Sequence, residues 1–207
     1  MPNPFIHEAS KSESRLFGEV VQALAVALIF NIVVYFLFII PSQVDGPSMM
    51  PNLLDKELLF ANKTPSWFSG SPATIKQLGW DYQRGDIVIF DFLNMVLVKR
   101  VIGVPGDRIM INNDGDVYLN GTLLYEPFLP AGLTTLFPQA SERAFEPGQE
   151  FTVPEDKFFV MGDHRDNSKD SRFSEVGFIP RTKIKGVVFF RFYPLDKIGT
   201  ISRPAAK

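Results

Sequence analysis

Ser48 and Lys99 are the two residues of this chain whose types and surroundings suit covalent catalysis. Lys99 interrupts an apolar run, Met95-Val96-Leu97-Val98-Lys99-Arg100-Val101-Ile102-Gly103-Val104, whose β-branched content reads as a strand buried on both faces. Alternation puts Lys99 on the same face as Leu97 and Val101. Such surroundings desolvate an amine and so favour its uncharged form. Lowering a lysine pKa from about 10.4 to about 7–8 corresponds to roughly 3–4 kcal/mol of differential solvation and yields a usable general base. Ser48 lies in Asp45-Gly46-Pro47-Ser48-Met49-Met50-Pro51-Asn52-Leu53, between a Gly-Pro turn and a second proline. A backbone restricted in this way can present a hydroxyl as a nucleophile. Residue type alone favours the plainer reading, a serine that makes a turn and a lysine that snorkels or meets a carboxylate.

A further cluster of chemistry-bearing residues is Gly162-Asp163-His164-Arg165-Asp166-Asn167-Ser168-Lys169-Asp170-Ser171-Arg172. His164 is one of only two histidines, the other being His7. It opens a rival mechanism, a Ser-His-Asp triad from Ser48, His164 and either Asp163 or Asp166, which would leave the placement of Lys99 without a reason. Asp163, Asp166 and Asp170 also raise the possibility of a cation site. Arg165 and Arg172 interleave with them and no Asp-x-Asp-x-Asp-Gly loop is present, so ion pairs and no metal are expected.

The elements that must position these residues are of two kinds. From Val20 to Ile40 only Gln22 and Asn31 are strongly polar, and at 1.5 Å per residue this run spans about 30 Å, the thickness of a bilayer core. No small-x-small cleavage signature follows, so an uncleaved anchor is expected over residues 18–40 after a polar, loose segment 1–17. Lys11 and Arg15 precede the anchor, whereas no Lys or Arg occurs from Ile40 until Lys56, which favours a cytoplasmic N-terminus. Beyond the anchor, short apolar runs alternate with Gly, Pro, Asp and Asn. Strands are expected over residues 57–61, 86–91, 96–104, 108–111, 117–119, 150–153, 157–161 and 184–193, with turns at Pro105-Gly106-Asp107, Asn112 to Asp116 and Asn120-Gly121. The predicted fold is mainly β: a partly closed antiparallel domain over residues 41–207, with an inserted cap at about 112–156, preceded by one transmembrane helix. The insertion is too short for a core of its own.

A net charge of −2 argues against a nucleic-acid partner, and the absence of cysteine removes disulfides, thiolate metal sites and cysteine nucleophiles. Trp67, Phe68 and Trp80 fall in a Ser/Gly/Pro-rich loop that either packs ordinarily or rests on lipid.

In order, the Ser48 segment, Gly85-Asp86-Ile87-Val88-Ile89-Phe90, the Lys99 strand continued through Pro105-Gly106-Asp107, and the Gly162–Arg172 segment resemble the type I signal peptidase family. These are membrane-anchored Ser-Lys proteases that remove signal peptides from exported proteins. The resemblance implies Ser48 as nucleophile, Lys99 as general base and Ser168 as the residue that orients the amine. It further implies that Asp170, Arg172, Asp163 and Arg100 form ion pairs bracing the site, and that Val44, Met49, Leu53, Leu97 and Val98 wall the substrate pockets. No cofactor is implied, and the expected partners are preprotein signal peptides and the lipid bilayer, with the chain acting as a monomer in the cell membrane. Three positions depart from the familiar pattern: Gly46 stands where many members carry a serine that helps hold the oxyanion, Asn52 replaces a threonine, and His164 replaces an asparagine. The oxyanion hole is then left with the Ser48 N–H plus an unidentified donor.

An extended substrate on a strand edge would direct alternate side chains to one face, which suits small residues at the first and third positions before the cut. Met49, Met50 and the Trp67-Phe68 pair are candidates for contact with lipid. Two other functions stay open from residues alone: a self-cleaving Ser-Lys regulator, and a tethered β-rich binding module in which Ser48 and Lys99 are structural.

Overall fold

The fold is given by a computed structural model that describes residues 4–67 and 69–204. It divides into two compact units, residues 1–39 and 40–207.

The first unit is one helix, α1 (Pro4–Phe38). Its stretch Arg15–Phe38 is long and apolar enough to cross a membrane and buries nothing within the structure. Asn31 answers its own polarity by donating from Nδ2 to Ala27 O at 2.8 Å, one turn back. Two boundaries differ from expectation. Backbone of the supposedly loose segment is helical from Pro4 onward, and the helix stops at Phe38, before the apolar run does. Ile39 and Ile40 are β-branched and Pro41 disfavours helical geometry in the residue before it, so β1 (Ile39–Gln43) begins there.

The second unit is built from strands β2 (Leu58–Asn62), β3 (Ile87–Phe92), β4 (Met95–Gly103), β5 (Arg108–Ile111), β6 (Val117–Leu119), β7 (Thr122–Leu123), β8 (Glu150–Thr152), β9 (Lys157–Met161), β10 (Ile179–Pro180), β11 (Ile184–Tyr193) and β12 (Gly199–Thr200). Two short helices, α2 (Thr64–Trp67) and α3 (Pro72–Gln77), lie between β2 and β3. The larger sheet runs β1-β2-β11-β3-β4-β9-β10, with β12 on β11, and the smaller runs β7-β6-β5-β8. Every pairing from β2 onward is antiparallel, as expected of a mainly β domain. The Asn120-Gly121 signal makes the β6–β7 hairpin: Leu119 faces Thr122, and φ is 52° and 82° at the two turn residues, a conformation open to Asn and Gly.

Three apolar clusters form the core. One joins Val44, Met49, Leu53, Leu59, Ile89 and Val98; a second joins Val88, Phe90, Val101 and Phe158 on the opposite face. The third ties the smaller sheet to the larger one, Ile109, Ile111 and Val117 meeting Ile102, Phe159 and Met161. The inserted strands therefore share a core with the larger sheet, which is how so short a segment is stabilised.

Strand β4 carries the feature that matters for the site. It pairs with β3 along Met95–Arg100 but with β9 only from Arg100 onward. Within the described sheet, residues 95–99 thus have a single strand neighbour. Only the outer end of β4 is exposed, at Met95 and Val96; from Val98 to Gly103 every residue is buried.

Candidate active site

The site forms where β4 meets the turn that follows Val44. Lys99 is only 2% exposed. Its Nζ lies 2.7 Å from Ser48 Oγ and donates a hydrogen bond to Val98 O at 3.0 Å. With one N–H committed to that carbonyl, an uncharged amine has its lone pair available for the serine hydroxyl. Burial pushes the Lys99 pKa down from 10.5 to about 8; the Asp170 and Asp163 carboxylates pull it back up, and Arg172 lowers it again. No carboxylate forms a salt bridge with the amine among the described residues, so desolvation prevails.

The Ser48 segment is a sequence of turns. Met50 N–H donates to Pro47 O at 3.0 Å and Leu53 N–H to Met49 O at 2.9 Å. Beneath it lies Gly162, where a Cβ would stand 2.4 Å from Ser48 O and 2.2 Å from Ser168 Oγ; only a hydrogen fits. The Gly162 N–H donates to Asp170 Oδ2 at 2.9 Å.

Two buried ion pairs hold this floor. Arg100 reaches both Asp163 oxygens from Nε at 2.8 Å and Nη2 at 2.6 Å, the bidentate geometry in which arginine and carboxylate interact most strongly. Arg172 grips Asp170 in the same way, at 2.8 Å twice. Burial tends to raise the Asp170 pKa, but the Arg172 charge and the hydrogen bonds from Arg172 and Gly162 outweigh it and hold the carboxyl below its usual range. The four residues expected to brace the site therefore do meet, as two pairs.

Ser168 Oγ is buried close to Gly162 and Asp170, and it helps to hold the Asp170 carboxyl below its usual range. The second partner of the lysine amine is Val98 O, not Ser168. Of the expected pocket residues, Val44, Met49, Leu53 and Val98 share one core cluster, while Leu97 packs partly buried in the cluster on the other face. Met49 is fully buried and so does not meet lipid, whereas Met50 is exposed. Trp67 is half-exposed, and Phe68 lies outside the described residues.

Several contacts of the site were not read from the sequence. Asn52 Nδ2 donates to Asp163 Oδ2 at 2.9 Å and to Phe128 O at 2.8 Å, and the Phe128 ring lies 4.0 Å beneath the Arg100 guanidinium. Arg165, also buried, binds Glu126, donates to Thr135 Oγ1 at 2.9 Å and to Gly162 O at 3.1 Å. The loop after β7 is thereby latched to the floor of the site. The signals were the two arginines among the acidic residues of the Gly162–Arg172 segment and the unusual Asn52, and neither names partners dozens of positions away. The His164 ring makes no hydrogen bond to Ser48 Oγ. Its Nδ1 lies 3.2 Å from Pro47 O and its Nε2 3.2 Å from Asp166 Oδ1.

A buried amine against a hydroxyl, on a mainly antiparallel scaffold, is an arrangement able to carry out nucleophilic acyl transfer. Comparison with known proteins narrows the class. The family model described as signal peptidase, peptidase S26, matches residues 17–193. Signal peptidase I of Bacillus amyloliquefaciens is 35% identical over 184 residues, covering 86% of this chain and 88% of its own. Signal peptidase I S of Bacillus subtilis (strain 168) is 34% identical over 189 residues, covering 91% and 95%. A solved signal peptidase I from Enterococcus faecalis V583 shares 31% identity and superposes with a TM-score of 0.39, covering 52% of this chain and 96% of that one.

The chain belongs to the signal peptidase family, peptidase S26, whose members are serine endopeptidases. It is accordingly a peptide-bond hydrolase of a membrane-associated family that acts on the signal peptides of exported preproteins.

Proposed function

We propose that this chain is a membrane-anchored signal peptidase in which Ser48 is the nucleophile and neutral Lys99 the general base. The observation that carries this reading is the 2.7 Å contact between Ser48 Oγ and a lysine amine with no carboxylate bonded to it. Lys99 takes the hydroxyl proton as Ser48 Oγ attacks the scissile carbonyl, and the ammonium so formed returns that proton to the leaving amine. Water, deprotonated by the same amine, then releases the acyl group. Burial of Lys99 excludes competing protons.

The substrate would lie extended along the unpaired side of residues 95–99, adding a strand beside the dyad. Small side chains at the first and third positions before the cut would meet walls provided by Val44, Met49, Leu53 and Val98, while Leu97 lies in the cluster on the other face. The part of α1 from residue 18 to Phe38 serves as a single anchor, with residues 1–17 on the cytoplasmic side and the chain from β1 onward, including the insertion at about 112–156, outside. The chain acts as a monomer, with no cofactor or metal. Ser168, Asp170, Arg172, Asp163 and Arg100 support the dyad without touching the reacting atoms.

The test is cleavage of a preprotein by the full chain in detergent micelles. Ser48→Ala and Lys99→Ala should each lower kcat by about 10³-fold or more. Full activity in either variant would overturn the dyad.

A further inference from the structure

Ser48 contributes to two peptide groups, and one residue holds the carbonyl of each. The His164 backbone N–H donates to Ser48 O at 3.1 Å, while His164 Nδ1 stands 3.2 Å from Pro47 O. Pro47 O and the Asp166 carboxylate only accept, so the Nδ1 contact is a hydrogen bond in a form that carries the proton on Nδ1, and both ring contacts are hydrogen bonds at once only in the imidazolium. The other lone pair of Pro47 O takes the Met50 N–H. The peptide between Pro47 and Ser48 is planar and trans, so its C=O and N–H point in opposite directions, and fixing Pro47 O fixes the direction of the Ser48 N–H.

That N–H has no acceptor among the described residues. Its neighbours cannot substitute for it. The Gly46 N–H is committed to Asp55 Oδ1 at 2.7 Å, Gly46 has no hydroxyl, and Pro47 has no N–H. The Ser48 N–H therefore carries most of the demand when negative charge develops on the substrate oxygen.

We propose that His164 is a positioning residue for the oxyanion: through the Pro47 carbonyl it aims the Ser48 N–H at the developing charge and strengthens it as a donor. A peptide whose oxygen accepts a hydrogen bond has a more polarised N–H. As Ser48 Oγ bonds to the scissile carbon, the carbonyl pair moves to oxygen, and that oxygen meets the Ser48 N–H; His164 keeps its proton throughout. The assignment rests on Ser48 being the nucleophile. It differs from a triad because both ring nitrogens face Pro47 and Asp166, and the neighbour of Ser48 Oγ is Lys99.

The experiment compares His164→Ala, His164→Leu and His164→Asn in the full chain, in micelles, on a preprotein. An asparagine amide can donate to Pro47 O from near the position of Nδ1 but does not extend to Asp166. Loss of a full oxyanion donor costs about 10²–10³-fold in kcat, so loosening one should cost about 10–100-fold in the Ala and Leu variants, with KM within about twofold. His164→Asn should recover to within about threefold of the parent. Affinity for a peptide aldehyde, which forms a tetrahedral adduct with a serine, should fall in parallel with kcat while affinity for an uncleaved peptide stays constant. Thermal unfolding midpoints confirm that each variant is folded. Unchanged kcat in His164→Ala and His164→Leu beside an inactive Ser48→Ala would overturn the proposal alone, as would an Asn variant no better than Ala. An active Ser48→Ala would overturn the nucleophile assignment beneath it.

Discussion

Lys99 Nζ and Ser48 Oγ stand 2.7 Å apart although 51 positions separate the residues in sequence. The contact puts a proton acceptor on the nucleophile inside a core that disfavours charge. Its consequences are kinetic, titrimetric and thermodynamic.

The first concerns pH. The base must be neutral, and burial sets the Lys99 pKa at about 8. As pH falls below that value the ammonium accumulates, so kcat/KM on a peptide substrate should drop about tenfold per pH unit. A profile flat from pH 9 to about 6 would separate the lysine from the chemistry.

The second concerns stability. A lysine whose folded pKa lies below its unfolded 10.5 carries a penalty that is absent above pH 10.5, grows as pH falls to about 8, and is constant below. At neutral pH this amounts to about 3 kcal/mol. Lys99→Met, inactive, should therefore be more stable than the parent by about 1–3 kcal/mol at neutral pH, with the gap narrowing as pH approaches 10.5. Denaturant unfolding in micelles at both ends of that range checks it.

The third concerns the buried ion pairs. Arg172→Met leaves the Asp170 carboxylate buried without its guanidinium and should destabilise the protein by about 3–5 kcal/mol. Asp170→Leu combined with Arg172→Met should cost less than Arg172→Met alone, because no charge is stranded. Chemical unfolding of the single and double variants reads the difference.

The fourth concerns Gly162. A methyl there meets Ser48 O and Ser168 Oγ well inside contact distance. Gly162→Ala should displace the nucleophile and lower kcat by about 10²-fold, whereas Gly199→Ala, with open space around it, should leave kcat unchanged.

Much of this was legible in the chain because it rests on local signals. The apolar run around Lys99, the Asn120-Gly121 turn and the proline-bounded serine each state their conformation within a few residues. The end of α1 was hidden because Ile39 and Ile40 suit a lipid-facing helix and a strand equally; Pro41 decides between them. The partners of Asn52 and Arg165, Phe128 and Glu126 among them, were illegible for a different reason: each lies far along the chain, and no pattern in the sequence encodes which carboxylate or carbonyl a guanidinium or amide will reach.

The most direct test of the account is the titration of the Lys99 amine itself. In protein labelled with 13C at lysine Cε, with Lys99→Arg identifying the resonance, the Cε shift follows protonation at Nζ in isolation from substrate binding and catalysis. A buried Lys99 that serves as base titrates with a midpoint near 8. A midpoint at 10.5 or above would leave on the order of 10⁻³ or less of the amines uncharged at neutral pH, against about one in ten for a midpoint near 8, and Lys99 would then be no effective base.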